Sequence, residues 1–128
     1  MEIAITQGIT VAVEHQYLPE HSDQREHRFV FGYHIRIENG SPYTVQLLRR
    51  HWYITDAASQ LREVEGEGVV GEQPVLLPGE HYQYTSYCDL NTDMGKMRGT
   101  YLMTRREDGG FFEVEIPEFK MVAPSKLN

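Results

Sequence analysis

The chain has 128 residues, 40% hydrophobic and 24% charged, and its 12 Lys and Arg against 19 Asp and Glu leave a net charge of −7. That length suits one domain able to bury a core without staples, with the composition of a soluble globular protein. The acidic balance excludes a general affinity for nucleic acid or an anionic membrane, both of which need a basic face, and no apolar run approaches the ~20 residues of a membrane span.

Met1 to Thr6 lacks the basic region and apolar stretch of a secretory signal. The single cysteine, Cys88, excludes an intramolecular disulfide and a cysteine-rich zinc site. A lone thiol in a strand-like run reads as a small core residue in a reducing, cytoplasmic setting.

Period-two alternation then recurs along the chain. Residues 9–13 place Ile9, Val11 and Val13 on one face, and a polar loop over residues 19–27 follows. From Arg28 to Glu38, Phe29, Phe31, Tyr33, Ile35 and Ile37 oppose Arg28, His34, Arg36 and Glu38. Asn39-Gly40-Ser41-Pro42 ends this strand with turn chemistry. Thr44 to Asp56 is apolar on both faces, which predicts a central strand with a bulge inside it. Arg49 and His51 share one face there, Arg50 and Trp52 the other. A short strand over Leu61 to Glu65 leads into a glycine loop, and Leu77-Pro78-Gly79-Glu80 reads as a turn. Strands are predicted from His81 to Cys88, Met97 to Arg105, Phe111 to Ile116 and Glu118 to Val122. No segment longer than about ten residues carries a 3.6-residue period. Seven to eight short strands with regular turn signals predict an all-β sandwich of antiparallel sheets, with a barrel as the other closed solution. Residues 1–124 form the single domain and 125–128 a polar tail expected to be disordered.

Gly66-Glu67-Gly68-Val69-Val70-Gly71 matches the GxGxxG of dinucleotide-binding turns. That site needs a buried strand before the glycines and a helix after them, whereas Glu72-Gln73-Pro74 and a short punctuated run follow here. The motif therefore reads as an ordered loop between strands. Three roles stay open for Gly66, Gly68 and Gly71: turn-forming glycines, amides cupping a phosphate, or a loop that contacts a partner.

Several segments together carry a family likeness. These are Tyr17-Leu18-Pro19-Glu20 with Ser22-Asp23, Phe29-Val30-Phe31-Gly32-Tyr33, Gln46-Leu47-Leu48-Arg49-Arg50-His51-Trp52 with Ile54-Thr55-Asp56, and Val64 through Pro74. Leu77-Pro78-Gly79-Glu80, Tyr84-Thr85-Ser86, Met97-Arg98-Gly99-Thr100-Tyr101 and Ile116-Pro117-Glu118-Phe119 extend it. In register over nearly the whole chain, this resembles the bacterial ApaG family, with Tyr87-Cys88 a mild departure. The resemblance implies a fibronectin type III-like or immunoglobulin-like β-sandwich. It also implies a domain that occurs in larger eukaryotic proteins, an F-box protein and a polymerase-interacting protein among them, where it mediates protein contacts. The bacterial family is traditionally associated with cobalt and magnesium resistance, a label that names no transporter activity for a chain without a membrane span.

Arg49 and Arg50, beside Trp52, are the candidate anion or partner contacts, against solvated ion pairing as the plain alternative. His15, His21 and His27 lie near one acidic loop and are weak candidates for a divalent ion, magnesium or cobalt, although their spacing matches no ligand pattern. No nucleophile sits in a motif that places a base beside it, so no catalytic residue is assigned. The sequence thus favours a non-enzymatic, cytoplasmic binding or adaptor module for another protein. Strand edges and the loops around Tyr17-Leu18-Pro19 and Gly66–Gly71 would be its contact surfaces, with an edge-paired homodimer as one form. The alternative is a nucleotide or pyrophosphate sensor built on the glycine loop and Arg49/Arg50.

Overall fold

The computed structural model describes residues 1–124, and the expected tail at 125–128 lies outside them. Among the described residues nine strands run in chain order: β1 (Glu2–Thr6), β2 (Ile9–Tyr17), β3 (Phe29–Asn39), β4 (Val45–Asp56), β5 (Leu61–Glu67), β6 (Val75–Leu76), β7 (His81–Leu90), β8 (Met94–Arg105) and β9 (Phe111–Val122). One sheet has the order β1-β2-β3-β7; the other has β5-β4-β8-β9, with two-residue β6 also on β4, and every pairing is antiparallel. This is the all-β sandwich that the alternation predicts, in the immunoglobulin-like, fibronectin type III-like form that the family resemblance implies.

The structure has one strand more than the upper count. Residues 2–6 form β1, tied to β2 through the two-residue turn Gln7-Gly8. The two strands predicted on either side of Pro117 are one, β9. Its register against β8 slips so that Pro117 and Glu118 oppose the single residue Arg98. Proline has no amide hydrogen to offer a ladder, so a bulge is where a sheet accepts it. The extra residue also shifts the pleat, so that Phe112, Val114 and Ile116 before it and Phe119 and Met121 after it all face inward. The 19–27 loop contains two short 3-10 helices, Pro19–His21 and Gln24–Glu26.

The core forms where the inner faces meet. Tyr33, Trp52 and Phe119, from β3, β4 and β9, pack edge-on and tilted with centroids 5.4–6.1 Å apart, joining both sheets through one aromatic cluster. Asn39, fully buried at the end of β3, satisfies its whole amide: Nδ2 donates to the Tyr43 and Leu76 carbonyls, and Oδ1 accepts from the Ser41 amide and hydroxyl. Its residue type, chosen by the sequence for a turn, thereby ties the β3–β4 turn to β6.

Gly99 on β8 sits so close to β4 that a Cβ there would lie 2.3 Å from the His51 carbonyl oxygen and 3.2 Å from Trp52. Gly99→Ala is therefore expected to cost about 1–3 kcal/mol, read as a lower urea midpoint at unchanged slope.

Candidate functional site

The glycine motif starts from a bulge. Against β8, β4 carries one extra residue, Leu48, between the pairs Leu47–Met103 and Arg49–Leu102. The bulge expected in this strand is thus present, and it flips the pleat so that Val45, Leu47, Trp52 and Ile54 all point to the core. It also leaves the Leu48 carbonyl aimed at the sheet's edge, where it accepts from the Gly68 amide at 2.8 Å and the Gln73 side-chain amide at 3.0 Å.

Along β4, β5 pairs with residues 49–55 and β6 with 45–46, so the two are one edge strand interrupted by the excursion 68–74. The Leu47 amide closes the excursion on the Pro74 carbonyl at 3.0 Å. At its tip Val69 and Glu72 exchange both backbone hydrogen bonds, 2.8 and 2.9 Å, around Val70 (φ +43°) and Gly71 (φ +82°). Val69 is fully buried and anchors the excursion; Val70 projects outward, 55% exposed.

Each glycine has a local reason. Gly68 combines φ +63° with a site where a Cβ would lie 2.2 Å from the Glu72 carbonyl oxygen, and Gly71 takes the left-handed turn position. Gly66 lies within β5, not in the loop, directly opposite Arg50, whose guanidinium occupies the space a side chain would fill. The amides of Gly68, Val69 and Glu72 donate to carbonyls of the protein itself. Glu67 and Glu72 flank the turn.

Arg49 and Arg50 part company, as the strand period predicts. Arg49 is exposed on the outer face. Arg50 turns inward with Trp52, and its Nη1 donates to the Glu67 and Gly68 carbonyls at 3.1 and 3.0 Å, clamping the start of the excursion. Below it lies a buried polar seam: Tyr84 and Tyr101 share a hydrogen bond of 2.5 Å between hydroxyls. Burial drives both phenols upward in pKa, Tyr101 furthest, so both stay protonated in the folded chain. Neither tyrosine stood out in the sequence, where both alternate like ordinary core positions.

Cys88 is buried beside Arg62, which donates to its sulfur (3.6 Å) and to the Asp89 carbonyl (2.8 Å). Burial pushes its pKa from 9.0 to about 11 against the opposing pull of Arg62. A thiol so held is a poor nucleophile, in keeping with a core role.

His15, on β2, and the loop residues His21 and His27 do not gather as one ligand group among the described residues. His15 lies with its ring 5.3 Å from Phe119, its pKa lowered by partial burial and then by the N-terminal ammonium. His21 leans on Tyr87, and His27 occupies the left-handed residue ending the second 3-10 helix. The group of His and carboxylates that does gather among the described residues is His51, Glu63 and Glu65, on the outer face of β4 and β5. Nε2 of His51 is 2.8 Å from Glu63 and Nδ1 3.2 Å from Glu65, while the ring stacks on Tyr53 at 4.3 Å with Arg98 also over that phenol. An imidazolium can donate to both carboxylates at once, whereas a neutral ring leaves one lone pair facing an anion. Sequence could place Glu63 and Glu65 on one strand face, but their apposition to His51 depends on a register it does not display.

A family model described as the ApaG domain matches residues 19–105. The chain is 52% identical over 126 residues to Protein ApaG of Brucella canis, covering 98% of this chain and 96% of that one. It is 48% identical over 128 residues, and the full length of both, to Protein ApaG of Anaeromyxobacter dehalogenans. The crystal structure of a Bordetella pertussis protein described as ApaA superposes with a TM-score of 0.87 at 46% identity, over 91% of this chain and 94% of that one. Among the described residues no helix is long and apolar enough to cross a membrane.

Two expectations follow from the site. Val70→Asn should raise stability by about 1 kcal/mol in urea unfolding, because a β-branched residue pays for the left-handed conformation that Asn tolerates. For Cys88, the folded state holds its proton more tightly than the unfolded chain. Its contribution is therefore full below pH 9 and lost as the pH rises through about 11. Folded protein should accordingly resist iodoacetamide at pH 8 and label once unfolded in urea, as mass spectrometry would show.

Proposed function

The chain belongs to the ApaG domain family, and on that footing we propose that it is a non-enzymatic, cytoplasmic binding module that docks another protein along the β5–β7 side of the sandwich. The observation that carries this reading is the concentration of exposed apolar side chains in one short segment. Val70 (55% exposed), Val75 and Leu77 (53%) all lie between β5 and β7. Val75 lines an open recess of about 510 Å³ together with Pro74, Leu76 and Tyr82 among others. Among the described residues β7 pairs on one side only, with β3, which leaves its second edge for an added strand. The excursion that presents Val70 is held by Arg50 and by Leu48, a rigid mount for a contact loop.

Chemistry gives less support to an enzyme. Cys88 is buried with a raised pKa, and Tyr84 and Tyr101 bond to each other rather than to a base. The nucleotide or pyrophosphate sensor draws less support too, because three amides of the glycine turn already serve internal acceptors. The association with cobalt and magnesium resistance would, on this reading, run through the partner.

A photo-crosslinking residue at Leu77, with one at Lys120 on β9, the opposite edge of the β5-β4-β8-β9 sheet, as control, tests the proposal in cells. The expected result is a discrete protein adduct from Leu77 alone, abolished by Val70→Asp. Identical adduct patterns from both positions, or adducts indifferent to Val70→Asp, would overturn it. Amide shifts centred on Gly66–Gly71 upon adding pyrophosphate with magnesium would move the assignment to the sensor.

A further inference from the structure

A different recess lies on the outer face of the β1-β2-β3-β7 sheet, and its chemistry is distinct. It has a volume of about 390 Å³, and Gly32, a sheet position with no side chain, is among the residues that line it. Gln16 on β2, Gly32 on β3 and Tyr87 on β7 make one cross-strand row, and Glu14, His34 and Thr85 make the next. Gly32 leaves the centre of the first row without a side chain, and Leu18 packs over it, its Cδ1 3.3 Å from where a Cβ would stand. The segment from Leu18 to His21 forms a rim. That rim is fixed by the Leu18 amide on the Val30 carbonyl (2.8 Å) and by the Ser22 hydroxyl, which donates to the Leu18 carbonyl and accepts from the Val30 amide.

The walls carry an exposed phenol, two carboxylates and three histidines, His15, His21 and His34. Tyr87 is 64% exposed, with the His21 ring beside it at 6.5 Å. His34 is pinned on both ring nitrogens, Nδ1 to the Thr85 hydroxyl at 2.9 Å and Nε2 to Gln83 Oε1 at 3.1 Å. The carboxylates are Glu14 and Glu20; among the described residues neither is in an ion pair, and no Lys or Arg lines the recess. An exposed phenol face, two carboxylates without cations and an apolar floor match one ligand chemistry: a positive charge carried on a short apolar stem.

We propose that this recess is a binding site for an organic cation, a guanidinium or alkylammonium group. The stem would rest on Leu18, the charge between Glu14 and Glu20, and the face of Tyr87 would complete the enclosure. The overall charge of −7 draws such a ligand in. The recess shares strand β7 with the docking surface but none of the residues that line the recess beside β6, so either assignment can fail alone.

The test is an amide-resolved NMR titration of the intact chain with agmatine, using N-butylurea as a neutral near-isostere. Saturable shifts at Gly32, Thr85 and Tyr87 are expected for agmatine and none for the urea. Glu14→Gln and Glu20→Gln change exposed side chains and leave the fold intact. Each should weaken binding about five-fold, the range of an exposed ion pair. Tyr87→Leu, which keeps bulk and removes the aromatic face, should weaken it by a similar factor. A third arm uses the blocked tripeptide acetyl-Gly-Arg-Gly-amide: tighter binding than agmatine assigns the cation to a partner's chain, weaker binding to a free amine, and both support the site. Equal shifts with N-butylurea, or full affinity in the Glu14→Gln/Glu20→Gln double variant, would overturn the proposal.

Discussion

The extra residue in β4 is the constraint on which this side of the molecule depends. Without the bulge at Leu48 the strand would present Val45 and Leu47 to one face and Trp52 and Ile54 to the other, and one pair would be stranded in water. With it, all four enter the core. The displaced Leu48 carbonyl becomes the acceptor that holds the Gly68 amide and the Gln73 side chain. The shifted phase also turns Arg50 inward, where its guanidinium fills the place left by Gly66 and takes two carbonyls of the chain leaving β5. One inserted residue thus sets the core, the direction of an arginine and the mounting of the glycine turn.

The same logic repeats on the far side. Pro117 cannot donate to β8, and the bulge around it restores Phe119 and Met121 to the interior. Phe119 then meets Trp52 and Tyr33, whose own positions follow from the Leu48 bulge and from the uninterrupted alternation of β3. The two register slips are therefore complementary: each keeps a long strand's apolar side chains in step with a core that a strict two-residue period would miss. The edges reflect this as well. The excursion 68–74 breaks the outer strand of the larger sheet into β5 and β6, which leaves no long flat edge there.

Much of this was legible in the sequence, and the remainder fails for definable reasons. Strands such as β3 declare themselves through alternation, and the opposite directions of Arg49 and Arg50 follow from the same period. The bulge in β4 showed as apolar residues on both faces. The strand break at Pro117 was misread because a proline within a run argues against a central strand, and only the partner's register reveals a bulge instead. β1 carries few signals, since Ile3 and Ile5 point outward and are exposed. The gathering of His51, Glu63 and Glu65, and of Glu14, His34 and Tyr87, depends on cross-strand register, a property of two segments together that neither displays alone.

The glycine motif shows how one residue pattern serves two physical ends. A phosphate-binding turn needs consecutive amides left free and aimed at one point, usually with a helix dipole behind them. Here the strand ahead of Gly68 is an edge strand and the chain after Gly71 returns to the same sheet, so no helix terminus stands behind the loop. The amides of Gly68, Val69 and Glu72 are consumed in closing the turn. The glycines answer to sterics instead: Gly68 lets the chain pass within contact of Glu72, Gly71 supplies the left-handed position, and Gly66 makes room for Arg50. What the loop offers outward is the side chain of Val70, held in a conformation that valine seldom adopts. Strain of that kind persists only where the surroundings over-determine it, and Leu48, Arg50 and buried Val69 do so here. The outward product of all this internal hydrogen bonding is a fixed apolar contact.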